Sequence, residues 1–138
     1  MDGPIVTGAA ILAAPDEAGA RAILARLLAT ASIEVVRSGW EPYEKLGPHS
    51  RIWFWWRLPA GAADPLAVVT GLAEAATAPA DRGRILVRRD DDAPDAPSLA
   101  VVVASNTVAT TVPGLLWLDL ECDLAAEVQT DLAGALTS

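Results

Sequence analysis

Apolar and polar positions recur along this chain with two spacings, one that suits strands and one that suits helices. Ile5 to Ala14 is an apolar, β-compatible run broken by Gly8 and predicts a first strand. Pro15-Asp16-Glu17 opens a helix, because Asp16 can cap it and Glu17 favours its first turn. Ala20, Ile23, Leu24, Leu27 and Ala31 then fall at helical spacing as a buried stripe. Ser32 to Trp40 alternates and is rich in β-branched residues, which predicts a second strand. Glu41 to Ser50 holds two prolines and a glycine and reads as a loop. Arg51 to Leu58 is a third strand, stopped by Pro59.

Asp64-Pro65 is a strong helix start, an acidic cap followed by proline at the first helical position. Leu66, Val69, Leu72, Ala73 and Ala76 form the inner face of this helix, which fades near Pro79. Arg84 to Arg89 predicts a fourth strand, Asp90 to Pro97 an exposed acidic loop, and Leu99 to Ala104 a fifth strand. Ser105 to Gly114 is a Thr/Val-rich connection with a Pro-Gly turn, part of it able to extend the fifth strand, and Leu115 to Cys122 is a sixth strand. Asp123 is placed to cap a last helix whose inner stripe is Leu124, Val128, Leu132 and Ala135.

The order is β-α-β-β-α-β followed by β-β-α. Its first six elements match the ferredoxin-like, split βαβ arrangement, an antiparallel sheet with both helices on one face and the other face open. The expectation is an α+β fold in which the C-terminal β-β-α unit extends or covers that sheet. The sequence shows no linker or repeat, so residues 1–138 read as a single domain.

The third strand carries the strongest functional signal. Side chains alternate between the faces of a sheet. Ile52, Phe54, Trp56 and Leu58 are uniformly apolar and belong under the helices. Arg51, Trp53, Trp55 and Arg57 fall on the opposite, open side. An uncovered tryptophan pair is usually covered by something, and Trp and Arg are the residue types richest in binding hot spots. Three covers are open: the chain's own C-terminal unit, a second copy docked sheet to sheet, or a different molecule. Trp40 and Trp117 are available to stack with this face.

The sixth strand alternates as well. Leu116, Leu118, Leu120 and Cys122 share one face, and Leu115, Trp117, Asp119 and Glu121 the other. Cys122 is therefore expected to be a buried, inert thiol. Asp123, Glu127 and Asp131 continue the acidity as an i, i+4, i+8 stripe on the last helix. Either these acids are a solvated outer surface, or they frame Trp117 as a negative docking site.

Charge sharpens this picture. The formal net charge is −8, yet residues 1–69 carry seven acids and six bases, a net of −1, while residues 70–138 carry eleven acids and four bases, a net of −7. An acidic half is unsuited to phosphate backbones and suited to a basic protein. Nucleic acid is thus an unfavoured partner. Nine of the ten basic residues are arginine, which together with the alanine content fits a GC-rich bacterial genome. With one cysteine, no intramolecular disulfide can form, which suits a reducing, cytoplasmic setting. No apolar run is long enough to span a bilayer, and Met1 to Pro4 carries no basic leader, so neither a membrane nor a secretory signal is expected.

Catalytic patterns are sparse. His49 is the only histidine and lies in a Gly-Pro-His-Ser loop, where it is expected to be exposed. With one His and one Cys, a zinc site is not expected. The loop with Asp90, Asp91, Asp92 and Asp95 lacks the glycine and terminal glutamate of an EF-hand, and reads as a solvated turn. No Walker or dinucleotide motif occurs, and no cofactor is expected.

The reading that follows is a non-catalytic protein-binding domain, immunity- or antitoxin-like, that neutralises a basic partner. Its candidate contacts are Arg51, Trp53, Trp55, Arg57, Trp117, Asp119, Glu121, Asp123, Glu127 and Asp131. The alternatives are a dimeric α+β barrel that binds or turns over a small molecule in a Trp/Arg-lined pocket, and a homodimeric structural module using the same face.

Overall fold

The computed structural model describes residues 3–29, 33–45, 47–61, 64–90, 92 and 96–137. Strands β1 (Ile5–Leu12), β2 (Glu34–Tyr43), β3 (His49–Arg57), β4 (Leu86–Asp90), β5 (Ser98–Ala104) and β6 (Leu115–Asp123) form one open antiparallel sheet in the order β2-β3-β1-β6-β5-β4. Helices α1 (Glu17–Leu28), α2 (Pro65–Ala75) and α3 (Ala126–Thr137) accompany it, so the chain is of the α+β class.

The two strongest helix starts form as the sequence implies. The Asp16 carboxylate accepts the Gly19 N–H at 2.8 Å, and Asp64 accepts from Leu66 and Ala67 at 3.1 and 3.3 Å ahead of Pro65. Each cap satisfies helix-terminal N–H groups that have no partner within the helix.

The strand order follows the split βαβ pattern on one side of β1 only. There β3 lies between β1 and β2. On the other side β6, not β4, pairs with β1, and β4 lies at the far edge. The physical reason is that β4, β5 and β6 each pair with their sequence neighbour, so the meander enters at the edge and returns to the centre. Ser105 to Gly114 does not prolong β5. It folds back on the end of α2, where Ala78 N–H donates to the Ala109 carbonyl at 2.7 Å and Thr111 N–H to that of Ala76 at 3.0 Å. Val108 and Val112 are buried there.

The main core lies between one sheet face and helices α1 and α2. Ile52, Phe54 and Trp56 of β3, Leu118, Leu120 and Cys122 of β6, and Leu99, Val101 and Val103 of β5 meet Leu24 and Leu27 of α1 and Leu66, Val69 and Leu72 of α2. Phe54 and Trp56 stack with ring centroids 3.8 Å apart. Gly8 of β1 makes this possible, because a Cβ there would come within 2.8 Å of the Phe54 ring.

Five expectations are corrected. The fourth strand begins at Leu86 rather than Arg84, because Pro79–Arg84 closes as a 3-10 turn. The segment Glu41 to Ser50 is mostly strand, since β2 runs to Tyr43 and β3 begins at His49. Pro42 is tolerated because β2 is an edge strand, where a missing N–H need not break the ladder. His49 is therefore half-buried rather than exposed, with Nδ1 buried and unpartnered. In β6 a register shift sets Ile11 opposite Trp117 but Leu12 opposite Leu115. This bulge turns Leu115 into the core, and Leu116 does not join it. Finally, Asp123 ends β6 rather than capping α3. Its carboxylate accepts the Ala125 N–H at 3.0 Å, and α3 starts at Ala126. Ala31, Asp91 and Asp95 lie outside the described residues.

Helix α3 is held mainly by one side chain. Gln129 Oε1 accepts the Ile5 N–H at 2.8 Å, while Nε2 donates to the Ile5 carbonyl at 3.1 Å and to that of Asp123 at 2.8 Å. The pairing of β6 with β1 stops at Thr7–Glu121, so the Gln129 amide takes up the hydrogen bonds the next residues of β6 would have made. None of the described α3 side chains is buried; Val128, Leu132 and Ala135 are half-buried. No helix among the described residues is long and apolar enough to cross a membrane.

Candidate functional site: the open face of the sheet

The face opposite α1 and α2 is covered by the C-terminal unit only at its Ile5–Arg57 end. Strands β5 and β6 widen the sheet in its own plane, and α3 packs against β1 near its start, where Ile5 is buried outside the main core. The registers then fix which side chains stand together. Ile11 lies between Arg51 and Trp117, Ala9 between Trp53 and Asp119, and Thr7 between Trp55 and Glu121. Small residues of β1 thus form the floor between an aromatic and basic ridge on β3 and an acidic ridge on β6. Trp53, Trp55, Trp117 and Asp119 are all half-buried, so none is sealed inside the monomer.

The β3 ridge is organised by β2, a contribution the sequence reading missed. Arg51 pairs with Glu41 at 2.9 Å, directly across the strands. The guanidinium of Arg37 sits 5.3 Å from the Trp55 ring centroid, a cation–π contact. Trp53 leans over Gly39. The signal was the alternation Arg37, Gly39, Glu41, which becomes legible once β2 is carried past Trp40. Arg57 donates to the Gly3 carbonyl at 3.2 Å. Both arginines of the ridge are therefore committed to structure, which weakens the reading in which either holds an anion.

On the other side of the acidic ridge, Ala100 and Val102 of β5 separate it from Leu86 and Arg88 of β4. A groove of about 390 Å³ runs there, lined by Leu86, Val87, Arg88, Ala100, Val102, Asp119 and Glu121. A second, of about 380 Å³, lies toward Asp90, Ser98 and Asp123. Asp119 and Glu121 stand on one face of one strand, two residues apart, or about 7 Å. Partial burial pushes the Asp119 carboxyl above its usual range, Glu121 pushes the same way, and Arg51 opposes them. Burial raises the Cys122 thiol to about 11, helped by Asp123.

Of the sequence-based candidates, the registers bring Arg51, Trp53, Trp55, Arg57, Trp117, Asp119 and Glu121 onto one face. Asp123 is at the end of that face, while Glu127 and Asp131 are exposed on α3. Among the described residues no group of three or more His, Cys, Asp or Glu side chains is arranged to hold a metal. His49 sits at the far end of β3 from Arg57, beyond Arg51. No protein-family model, curated protein or solved structure matches the chain.

Proposed function

We propose that this chain is a protein-binding domain that takes a basic partner on the open face of its sheet. In its concrete form it is an immunity- or antitoxin-like protein of the bacterial cytoplasm that neutralises that partner. One observation carries the reading: a tryptophan ridge and an acidic ridge run side by side on a face that α3 covers only at its Ile5 end. Half-buried Trp53 and Trp55 supply large apolar area at little cost in side-chain entropy. Asp119 and Glu121 supply the charge that orients and speeds the approach of a cationic surface. The grooves beside them suit Lys or Arg side chains, whose stems can lie on Ala100 and Val102.

The test is recovery of a stoichiometric, basic protein from the native cytoplasm at low and high salt. Binding of that protein, once purified, is then measured by calorimetry against the Trp53→Ala and Asp119→Lys/Glu121→Lys variants. The tryptophan variant should lose about 2 kcal/mol of affinity, the scale of a hot spot. The charge-reversal variant should lose most of its association rate at low salt. Recovery of no partner at either salt, or a partner indifferent to both variants, defeats the reading.

A further inference from the structure

The two edges of the sheet are built differently. Edge strand β2 carries the usual defences against pairing: Pro42, a register shift between Val35 and Arg37, and a row of charges. Edge strand β4 has neither the proline nor the register shift, and its charges, Arg88, Arg89 and Asp90, all lie in its second half. All five of its residues are exposed, Leu86 at 65% and Val87 at 54%, and it contains no proline. Among the described residues no strand pairs with its outer side. The chain is extended at Ile85 as well, and Arg84 before it is the last residue of the 3-10 turn Pro79–Arg84.

This edge is also complementary to itself. Its sequence from 84 to 90 is Arg-Ile-Leu-Val-Arg-Arg-Asp, with a base at one end and an acid at the other. Laid antiparallel on a second copy with Val87 on the two-fold axis, Asp90 of each copy comes level with the end of the other's 3-10 turn, where the long Arg84 side chain can reach it. Leu86 faces the aliphatic stem of Arg88, and Val87 faces Val87. Opposed side chains of this kind, with opposite charges across from each other, are the pairs that stabilise antiparallel strands. Each Arg88 meets a leucine rather than its own counterpart. The contact of Arg84 with Asp81 is loose, at 3.9 Å, and leaves it able to turn.

We propose that two copies of the chain join edge to edge through β4, in a register centred on Val87, to make one continuous twelve-stranded sheet. The pairing leaves the tryptophan and acidic ridges of both copies uncovered on the same side of the joined sheet. It stands apart from the partner-binding reading, because it is measured on the purified chain alone.

Sedimentation velocity over a range of concentrations should show a reversible monomer–dimer equilibrium. Val87→Lys puts two ammonium groups on the axis and should weaken the dimer at least ~10-fold, with the far-UV spectrum unchanged because the position is exposed. Arg84→Asp should weaken it too, and Arg84→Asp/Asp90→Arg should restore it. Under mild oxidation Val87→Cys should form a disulfide dimer much faster than Leu86→Cys, since only directly opposed residues bring their Cβ atoms near disulfide range. Buried Cys122 does not compete. A chain that stays monomeric at every soluble concentration overturns the proposal. So does a dimer that Val87→Lys leaves intact, or equal cross-linking of the two cysteine variants.

Discussion

The indole of Trp53 lies over the backbone of Gly39 on the neighbouring strand, so closely that a Cβ at position 39 would overlap its Nε1, Cε2 and Cζ2 atoms. Gly39 has no left-handed backbone, so alanine is barred there by the ring alone. Gly39→Ala should therefore push the indole off β2 and further into solvent. The expected cost is about 1–3 kcal/mol, the range for overpacking. Denaturant melts give the stability, and a red-shifted tryptophan emission reports the displaced ring. An alanine variant with unchanged emission would show that the ring does not depend on this seat.

Trp55 depends on β2 in a different way, through Arg37. Removing the guanidinium with Arg37→Ala should cost about 0.5–1 kcal/mol, the size of a partly exposed cation–π contact. Arg37→Lys should keep part of it. A double-mutant cycle with Trp55→Ala measures the coupling, and additive losses would mean the two side chains do not interact in solution.

These contacts mark where the sequence was legible and where it was not. The split of β3 into a core set and an open set followed from alternation alone, because both faces are decided by the same two-residue period. The caps at Asp16 and Asp64 were likewise local. The order of strands was not local. That β6 lies beside β1 depends on which edges remain free after the hairpins form, and no single residue encodes it. The bulge that turns Leu115 inward is a single register step, and alternation counted from the sequence carries straight through it. Glu41 was hidden because Pro42 read as the mark of a loop, when on an edge strand it costs no ladder bond, and Arg37 and Gly39, though read as strand, lacked the register that sets them against Trp55 and Trp53.

Gln129 holds α3 by three hydrogen bonds to backbone atoms of Ile5 and Asp123, and the helix has no described buried side chain to replace them. Gln129→Ala should free the helix while the sheet stays folded. About 1–3 kcal/mol of local stability is expected to go, since the buried Ile5 N–H loses its acceptor. Hydrogen exchange should speed up in residues 126–137 with little change in β3 or β5. Uniform loss of protection across the chain would instead make α3 part of the global folding unit.

Cys122 is 1% exposed, and its thiol is pushed up to about 11. At pH 8 only about one molecule in a thousand then carries a thiolate, which is the reactive form. A thiol reagent should label the native protein very slowly and the urea-unfolded protein at once. Labelling of the native chain at the rate of a free thiol would show that the core face of β6 opens.

Asp119 gives the sharpest link between fold and function. Its carboxyl is raised in the folded state, chiefly by burial, so the native chain holds its proton to a higher pH than the unfolded chain does. Between the two values the native state binds more protons, and the free energy of unfolding falls as pH rises. Above that window the ionised Asp119 is a standing penalty. Asp119→Asn removes it, so the variant should be more stable than the native sequence at pH 7, with the difference vanishing as pH falls below the unfolded value, near 3.8. Thermal melts at both pH values measure this. A residue retained against stability is expected where binding needs it. If the proposed basic partner docks here, the same variant should bind it more weakly, and the native sequence should lose affinity as the pH falls through the raised value and the carboxylate takes up its proton. An asparagine variant that is less stable at pH 7, or one whose difference from the native sequence is constant with pH, would show that Asp119 stabilises the sheet and is not held at its expense.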